Sequence, residues 1–480
     1  MRRGAMLAAV LVTMPLAAQG AYHHGGDTDS DIALQAYPAI EGTKLDSCAL
    51  CHSGGEYEKK GVMVELGSCQ WCHYSYGYDE TGDIADTLNE YGKAYSLNGR
   101  NLAALKSIAA EDSDLDGFAN GDEIAALRFP GDTDDDPTKV AAPYRVLSRG
   151  QLETLPVHTQ LMLMNTHKSG DSYAKYSGVP IADLLDDSGV LTSATGITVF
   201  APDGWAQYHP LDPDADPLMY HVYGPYPAAS FYYNEQADDK LNTDGWCSYS
   251  SPSVSGLSNG DPIVVEGGLK MLLAFERDGV SLEPGELTDS NKLDGEGPFR
   301  VVPPQKVPGP PDQGSTSKAQ DVVWPFDEAA DHNAGYSTRS ATMIRVEPLP
   351  AGTTDVDILE AGWNYVDEGK ILLYGAIDPL ETLLVKLTTL QATLGEMDGA
   401  VFKNRSTRQI LTNRLSQLQR QLEKGHRRPV EAQLGGLMEK VNGCVNSGTP
   451  DCNDWVKTCA EQATVYWAFH EINVLLAIEK

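Results

Sequence analysis

Apolar residues recur at helical spacing from Asp378 to the end of the chain. The first run is Leu380, Leu383, Leu384, Leu387, Leu390, Leu394 and Met397. Ile410, Leu411, Leu415, Leu418 and Leu422 form the second, and Val430, Leu434, Leu437, Met438 and Val441 the third. Steps of three and four place each run along one side of a helix. With a last helix starting near Asn453, they predict a four-helix bundle over 376–480. Upstream the period shortens. Within 145–375, runs such as GITVFA (196–201), DPIVVEGG (261–268), LKMLLAFE (269–276), GPFRVVPP (297–304) and ATMIRVEPL (341–349) alternate with Gly, Pro, Asp and Asn clusters. That pattern predicts a strand-rich domain with few helices. A proline-rich stretch at 301–317 reads as a stiff, extended loop inside it. Residues 22–108 have few periodic runs, so something besides an apolar core has to hold them. The fold class expected is multidomain α+β: a small irregular, α-helical domain, an acidic loop segment at 109–140, a strand-rich domain and a helical bundle.

The start of the chain has a separate character. Arg2 and Arg3 precede an apolar run from Ala5 to Ala18, and small residues stand at Ala18, Gly20 and Ala21. This is the pattern of a secretory signal peptide over 1–21. The run is short for a bilayer span, and no later segment reaches the length a span needs. The mature chain is therefore expected outside the cytoplasm, periplasmic or extracellular, where disulfides persist. The 36 basic and 68 acidic residues give a formal charge of −32. That excess argues against nucleic acid and anionic membranes as partners, which need a basic surface.

Two motifs carry the candidate chemistry. Cys48, Cys51 and His52 read C-x-x-C-H, and Cys69, Cys72 and His73 repeat it. Cysteines at i and i+3 of a helical turn share a face, from which two thioether bonds can reach the vinyl groups of one haem. The following histidine is then placed to ligate the iron, so the doubled motif predicts two covalently attached c-type haems. The four cysteines also fit the spacing of a zinc ribbon, and a disulfide framework is a third reading. The histidine after each pair favours haem. Sixth-ligand candidates near the motifs are His23, His24 and Met63; more distant ones are His158, His167, His209, His221, His332, His426 and His470.

The acidic segment has a spacing of its own. Asp112, Asp114 and Asp116 fill positions 1, 3 and 5 of a twelve-residue calcium loop, with Gly117 at the sharp turn. Phe118 offers its carbonyl at 7, Asn120 stands at 9, and Glu123 at 12 can bind bidentately. A helix is expected to lead in over NLAALKSIAA, and Asp132, Asp134 and Asp136 suggest a second, weaker site. Calcium here is expected to stiffen the junction with the strand-rich domain. Of the remaining cysteines, Cys452 and Cys459 would lie about 10 Å apart on one helix, too far for a bridge. Cys444 with Cys459 is the preferred pair; Cys247 is left to pair with Cys452 or to stay unpaired.

KLDGEGPFRVVPPQ (292–305), DHNAGYSTRSATMIRVEPLPAGTTDVDILEAGW (331–363) and the two C-x-x-C-H motifs together resemble the bacterial GEGP-motif diheme c-type cytochrome family. The middle domain is also similar to the molybdopterin-binding domain of sulfite oxidase-like enzymes, through YSGVPIADLL (176–185), GITVFAPDGW (196–205), MLLAFERDGVSL (271–282) and GEGPFRVVPP (295–304). That resemblance implies the fold. The cysteine that would hold molybdenum is missing from 155–171, so molybdenum chemistry is not expected. His158, His167 and Lys168 could still line a pocket there. Together these features imply an exported diheme c-type cytochrome that passes electrons between redox partner proteins. A redox enzyme whose haems relay electrons, and a zinc-stapled extracellular binding protein, are the alternatives.

Overall fold

The computed structural model describes residues 28–53, 56–59, 62–65, 84–166, 171–202, 205–216, 219–232, 247–248, 250–258, 261–288, 293–306, 333–357 and 362–478. The signal-peptide segment, the Cys69–His73 motif, His23, His24, His167, Lys168 and His332 lie outside them, as does the side chain of Met63. The fold is mixed α/β, and its C-terminal part is helical. Among the described residues, no helix is long and apolar enough to cross a membrane.

The N-terminal part builds a small core of its own. Helices Thr28–Ala36, Glu90–Leu97 and Leu102–Ile108 bury Ala33, Tyr91, Tyr95, Leu105 and Ile108 against Ile40, Leu45 and Leu50. Ile124 and Phe129 belong to the same core. The acidic segment is therefore packed into this unit, and is not a tether beyond it. The lead-in helix Leu102–Ile108 forms because Asn101 caps it, accepting from the amides of Ala103 and Ala104.

Two sheets make the middle of the chain. One runs 144–148, 370–375, 343–347, 196–200, 206–210 in spatial order, mostly antiparallel with one parallel pair. The other centres on the long strand Asp171–Pro180, flanked by His158–Met164 and Leu272–Arg277, with Arg300–Val302 beyond. The strand runs read from the sequence at 196–201, 269–276, 297–304 and 341–349 all contain observed strands. The GEGP stretch is a tight crossing of two chain segments. Gly297 donates its amide to the Glu283 carbonyl at 2.7 Å and accepts from Gly285 at 2.9 Å. Gly295 has φ +85°, and a Cβ there would lie 2.5 Å from the Pro284 carbonyl oxygen, so only glycine fits. Between the glycines, Glu296 meets Arg277 at 2.5 Å and Arg300 at 2.7 Å, over the buried Tyr176 ring. Burial pushes the Glu296 carboxyl up, but Arg300 and Arg277 outweigh it and hold it below its ordinary value.

Helices Leu380–Glu396, Thr407–Leu422, Arg427–Met438 and Cys459–Leu476 form the expected bundle. Leu383, Leu387, Leu390, Leu394, Leu411, Leu415, Leu418, Leu422, Val430, Leu434 and Leu437 are buried in it. Two details differ from the sequence reading. Ile410 is 41 % exposed, because the core stripe of its helix runs through 411, 415, 418 and 422. The last helix begins at Cys459 and not near Asn453. Residues before it turn and then bridge to Phe402: the Lys403 amide donates to the Trp455 carbonyl and the Lys457 amide to that of Val401, each at 2.8 Å. The bundle also shares one continuous apolar core with the first sheet, and Thr382 Oγ1 bonds both the amide and the carbonyl of Tyr144.

Cys444 and Cys459 are disulfide-bonded, 15 residues apart. The bond ties the start of the last helix to the short helix Gly443–Ser447. Closing a loop of that length removes about 3 kcal/mol of unfolded-state entropy in the chain-entropy account. The double variant Cys444→Ala/Cys459→Ala is therefore expected to lose about that much stability in denaturant titration. A loss under about 0.5 kcal/mol would contradict it.

Candidate functional site

The first C-x-x-C-H motif is a single helical turn. Ala49–His52 is helical, with Cys48 at its N-terminus in αR geometry and Ser53 extended after it. Cys48 is exposed and Cys51 partly buried, while Ala49 and Leu50 face the small core. The turn packs on helix Glu90–Leu97 so closely that a Cβ at Gly92 would run into the Cys51 carbonyl.

Asn89 organises that contact. Its amide donates to the Cys51 carbonyl at 2.9 Å. Its side-chain nitrogen donates to the carbonyls of Ser53 at 2.9 Å and Leu50 at 3.3 Å, and its side-chain oxygen accepts from the Gly92 amide at 2.7 Å. One buried side chain thus caps the neighbouring helix and satisfies the end of the motif turn. His52 is fixed from the same side. Its Nδ1 lies 3.0 Å from the Thr87 carbonyl and 3.0 Å from the Thr87 hydroxyl. A carbonyl only accepts, and its contact favours the tautomer with the proton on Nδ1 and the lone pair on Nε2. Burial lowers the His52 pKa, keeping the ring neutral, and the Thr87 bond opposes that only in part. A neutral imidazole with Nδ1–H held by a backbone carbonyl is the form that ligates a metal through Nε2. Burial, with Asp29 adding to it, pushes the Cys51 thiol up to about 12. In the metal-free chain it is therefore held as a thiol. Thr87 and Asn89 gave no sequence signal, because the contacts they make to the motif span 35 and 36 residues.

The acidic loop at 112–123 is tightly turned. Asp112 accepts from the amides of Leu115 at 2.8 Å and Gly117 at 3.0 Å, and Asp116 accepts from that of Phe118 at 2.8 Å. Gly117 has φ +105° and Leu115 φ +67°. Asp112, Asp114 and Asp116 bring one carboxylate oxygen each within 4.8 Å of the others. Glu123, on helix Asn120–Ala125, is wholly buried, and neither of its carboxylate oxygens has a hydrogen-bond partner. One oxygen each of Asp114 and Asp116 is likewise buried and unpaired. Burial, then the neighbouring Asp114, Asp116 and Asp112, pushes Glu123 up to about 9; burial and Asp116 push Asp114 up to about 6. Three carboxylates so placed, with the buried Glu123 near them, fit a hard divalent cation, which supplies what these oxygens lack.

Asn120, at loop position 9, also braces the loop. Its side-chain nitrogen donates to the Ile108 carbonyl at 2.7 Å and to Ser113 Oγ at 2.9 Å, and its oxygen accepts from the Ser113 amide at 3.1 Å. One lone pair of that oxygen is left for a cation or its water. The second acidic run makes contacts of its own. Asp132 accepts from Ser53, Asp136 from Thr138, and Asp135 pairs with the buried Lys44 at 2.6 Å.

Of the distant histidines, His158 bonds the Gly268 carbonyl, His209 that of Tyr220, and His221 stacks on Tyr226. His426 precedes helix Arg427–Met438, and His470 meets the Trp467 ring edge-on. Cys247 lies on a short strand paired with Asp171–Ser172. No protein-family model, no curated protein and no solved structure matches this chain.

Proposed function

We propose that this chain is an exported diheme c-type cytochrome that passes electrons between redox partners, with one structural calcium site. Cys48 and Cys51 would hold one haem and Cys69 and Cys72 the other, with His52 and His73 as axial ligands. Asp112, Asp114, Asp116, Asn120, Glu123 and the Phe118 carbonyl would hold calcium. The observation that carries the reading is His52: it follows the cysteine pair directly, is partly buried, is kept neutral by that burial, and has Nδ1 held by Thr87, the arrangement in which an imidazole ligates through Nε2. Bound haem supplies one-electron transfer. The chain's own part is to fix the axial imidazole, to shield the attachment turn with Leu50, Tyr91 and Tyr95, and to hold it against helix Glu90–Leu97. The acidic surface implied by a charge of −32 suits basic partners.

Elemental analysis of the mature protein, made in a periplasm with haem-attachment machinery, tests this. The expected result is about two irons per chain with calcium, and neither zinc nor molybdenum. Zinc without iron would overturn it in favour of a cysteine-stapled binding protein. Iron together with molybdenum would overturn it in favour of a redox enzyme.

A further inference from the structure

The attachment turn Cys48–His52 is held from outside its own helix pair, and the segment that holds it comes out of the calcium loop. Residues 129–135 lie along both ends of the turn. On the near side Lys44, four residues before Cys48, donates to Asp135 at 2.6 Å and to Thr354 at 2.9 Å, with its own side chain and that of Asp135 only 2 % and 5 % exposed. On the far side Ser53, next to His52, donates to Asp132 at 3.0 Å. Between them Gly131 abuts Asn89 so closely that a Cβ would lie 2.5 Å from the Asn89 Cγ. Asn89 in turn holds the carbonyls of Leu50, Cys51 and Ser53. The same segment is fastened to the calcium loop. The Arg128 amide donates to the Glu123 carbonyl at 2.8 Å, and Ile124 and Phe129 share the core with Leu45 and Leu50.

Glu123 is the weak point of this arrangement. It is buried beside three other carboxylates with both oxygens unpaired, an arrangement a cation stabilises and its removal leaves repulsive. Opening the loop relieves the repulsion, but Glu123 cannot leave without dragging Arg128 and the residues after it. We propose that calcium in the Asp112–Glu123 loop is the latch that holds the Cys48–His52 turn in place, so that calcium binding and the order of the haem-bearing turn are coupled. This rests on the haem and calcium reading above. The coupling is reciprocal, so ordering the turn also strengthens calcium binding.

Hydrogen exchange on the full mature chain, with calcium and after chelation by EGTA at matched ionic strength, tests it. The reporting amides are Cys51, Ser53, Asn89 and Gly92, which are bonded to Cys48, Ala49, Cys51 and Asn89. Chelation is expected to speed their exchange about tenfold or more, together with that of the loop. Glu123→Gln in calcium should match the chelated wild type; the wild-type comparison decides the matter if that variant does not fold. A chelation effect confined to 109–128, on a chain that calorimetry shows to bind calcium, overturns the latch and leaves the calcium site standing. Absence of calcium binding overturns the calcium reading and the latch with it. A chain that binds calcium but lacks iron overturns the haem reading alone, and the exchange of the four amides still decides the latch.

Discussion

Replacing Cys48 and Cys51 together by serine is expected to halve the covalently bound haem, from about two per chain to about one. The thioethers are the only covalent links the turn can offer, because Cys48 and Cys51 are its two sulfurs. Haem staining on a denaturing gel and intact mass read the loss directly. His52→Ala should behave differently. It leaves both thiols, so covalent haem remains, but removes the imidazole that Thr87 orients at 3.0 Å. The expected result is full staining with an altered low-spin spectrum for half of the haem. Undiminished staining in the double-serine variant would remove the first site from the reading, and with it the argument from His52.

The second large effect is a reversal of pH dependence by calcium. In the calcium-free fold, Asp114 is raised to about 6 and Glu123 to about 9, above the unfolded values of about 4. The folded chain then binds protons more tightly than the unfolded one. This contribution to stability is complete below the unfolded values and is lost as pH rises through about 6 and about 9. The melting temperature of the chelated protein should therefore fall from pH 5 to pH 9. Calcium binds the ionised carboxylates, so its benefit grows over the same window. At about a hundred times its dissociation constant it adds about 2.7 kcal/mol, on the order of 5 °C in a chain of this size. Calorimetric melts at both pH values, with calcium and with chelator, check the sign. A chelated melting temperature that is flat or rises with pH would show that Glu123 is not held as described.

What was legible in the sequence was local. The acidic loop could be read because its carboxylates lie within twelve residues, and the C-terminal helices because their leucines repeat every three or four. The misreadings have equally specific causes. Asp451 and Asp454 after a proline look like the start of a helix, yet the Asp454 carboxylate accepts from the distant Gly443 amide at 3.3 Å as well as from Asp451 at 2.5 Å. Tertiary demand overrode a local capping signal there. Least visible were Lys44, Asn89 and Arg128. Lys44 meets Asp135 across 91 residues and Arg128 meets Asp357 across 229. No window along the chain contains such pairs. The GEGP glycines lie between these cases: their conformational role is local, but Glu296 matters through Arg277 and Tyr176, 19 and 120 residues away.

The core shared by sheet and bundle bears on the order in which this chain can be made. Val140–Ala141 pairs with Thr353–Thr354, and 144–148 pairs with 370–375. The apolar face behind those strands is then closed by Leu383, Leu415 and Phe469. Those early strands precede their partners by about two hundred residues, so the first sheet closes late whichever way the chain is delivered. The small N-terminal unit draws its apolar core from residues 33–129 among the described residues, but its buried Lys44 completes its bonds on Asp135 and Thr354. The turn that carries Cys48 and Cys51 can thus form early and is fastened only when the strand that holds Thr354 arrives.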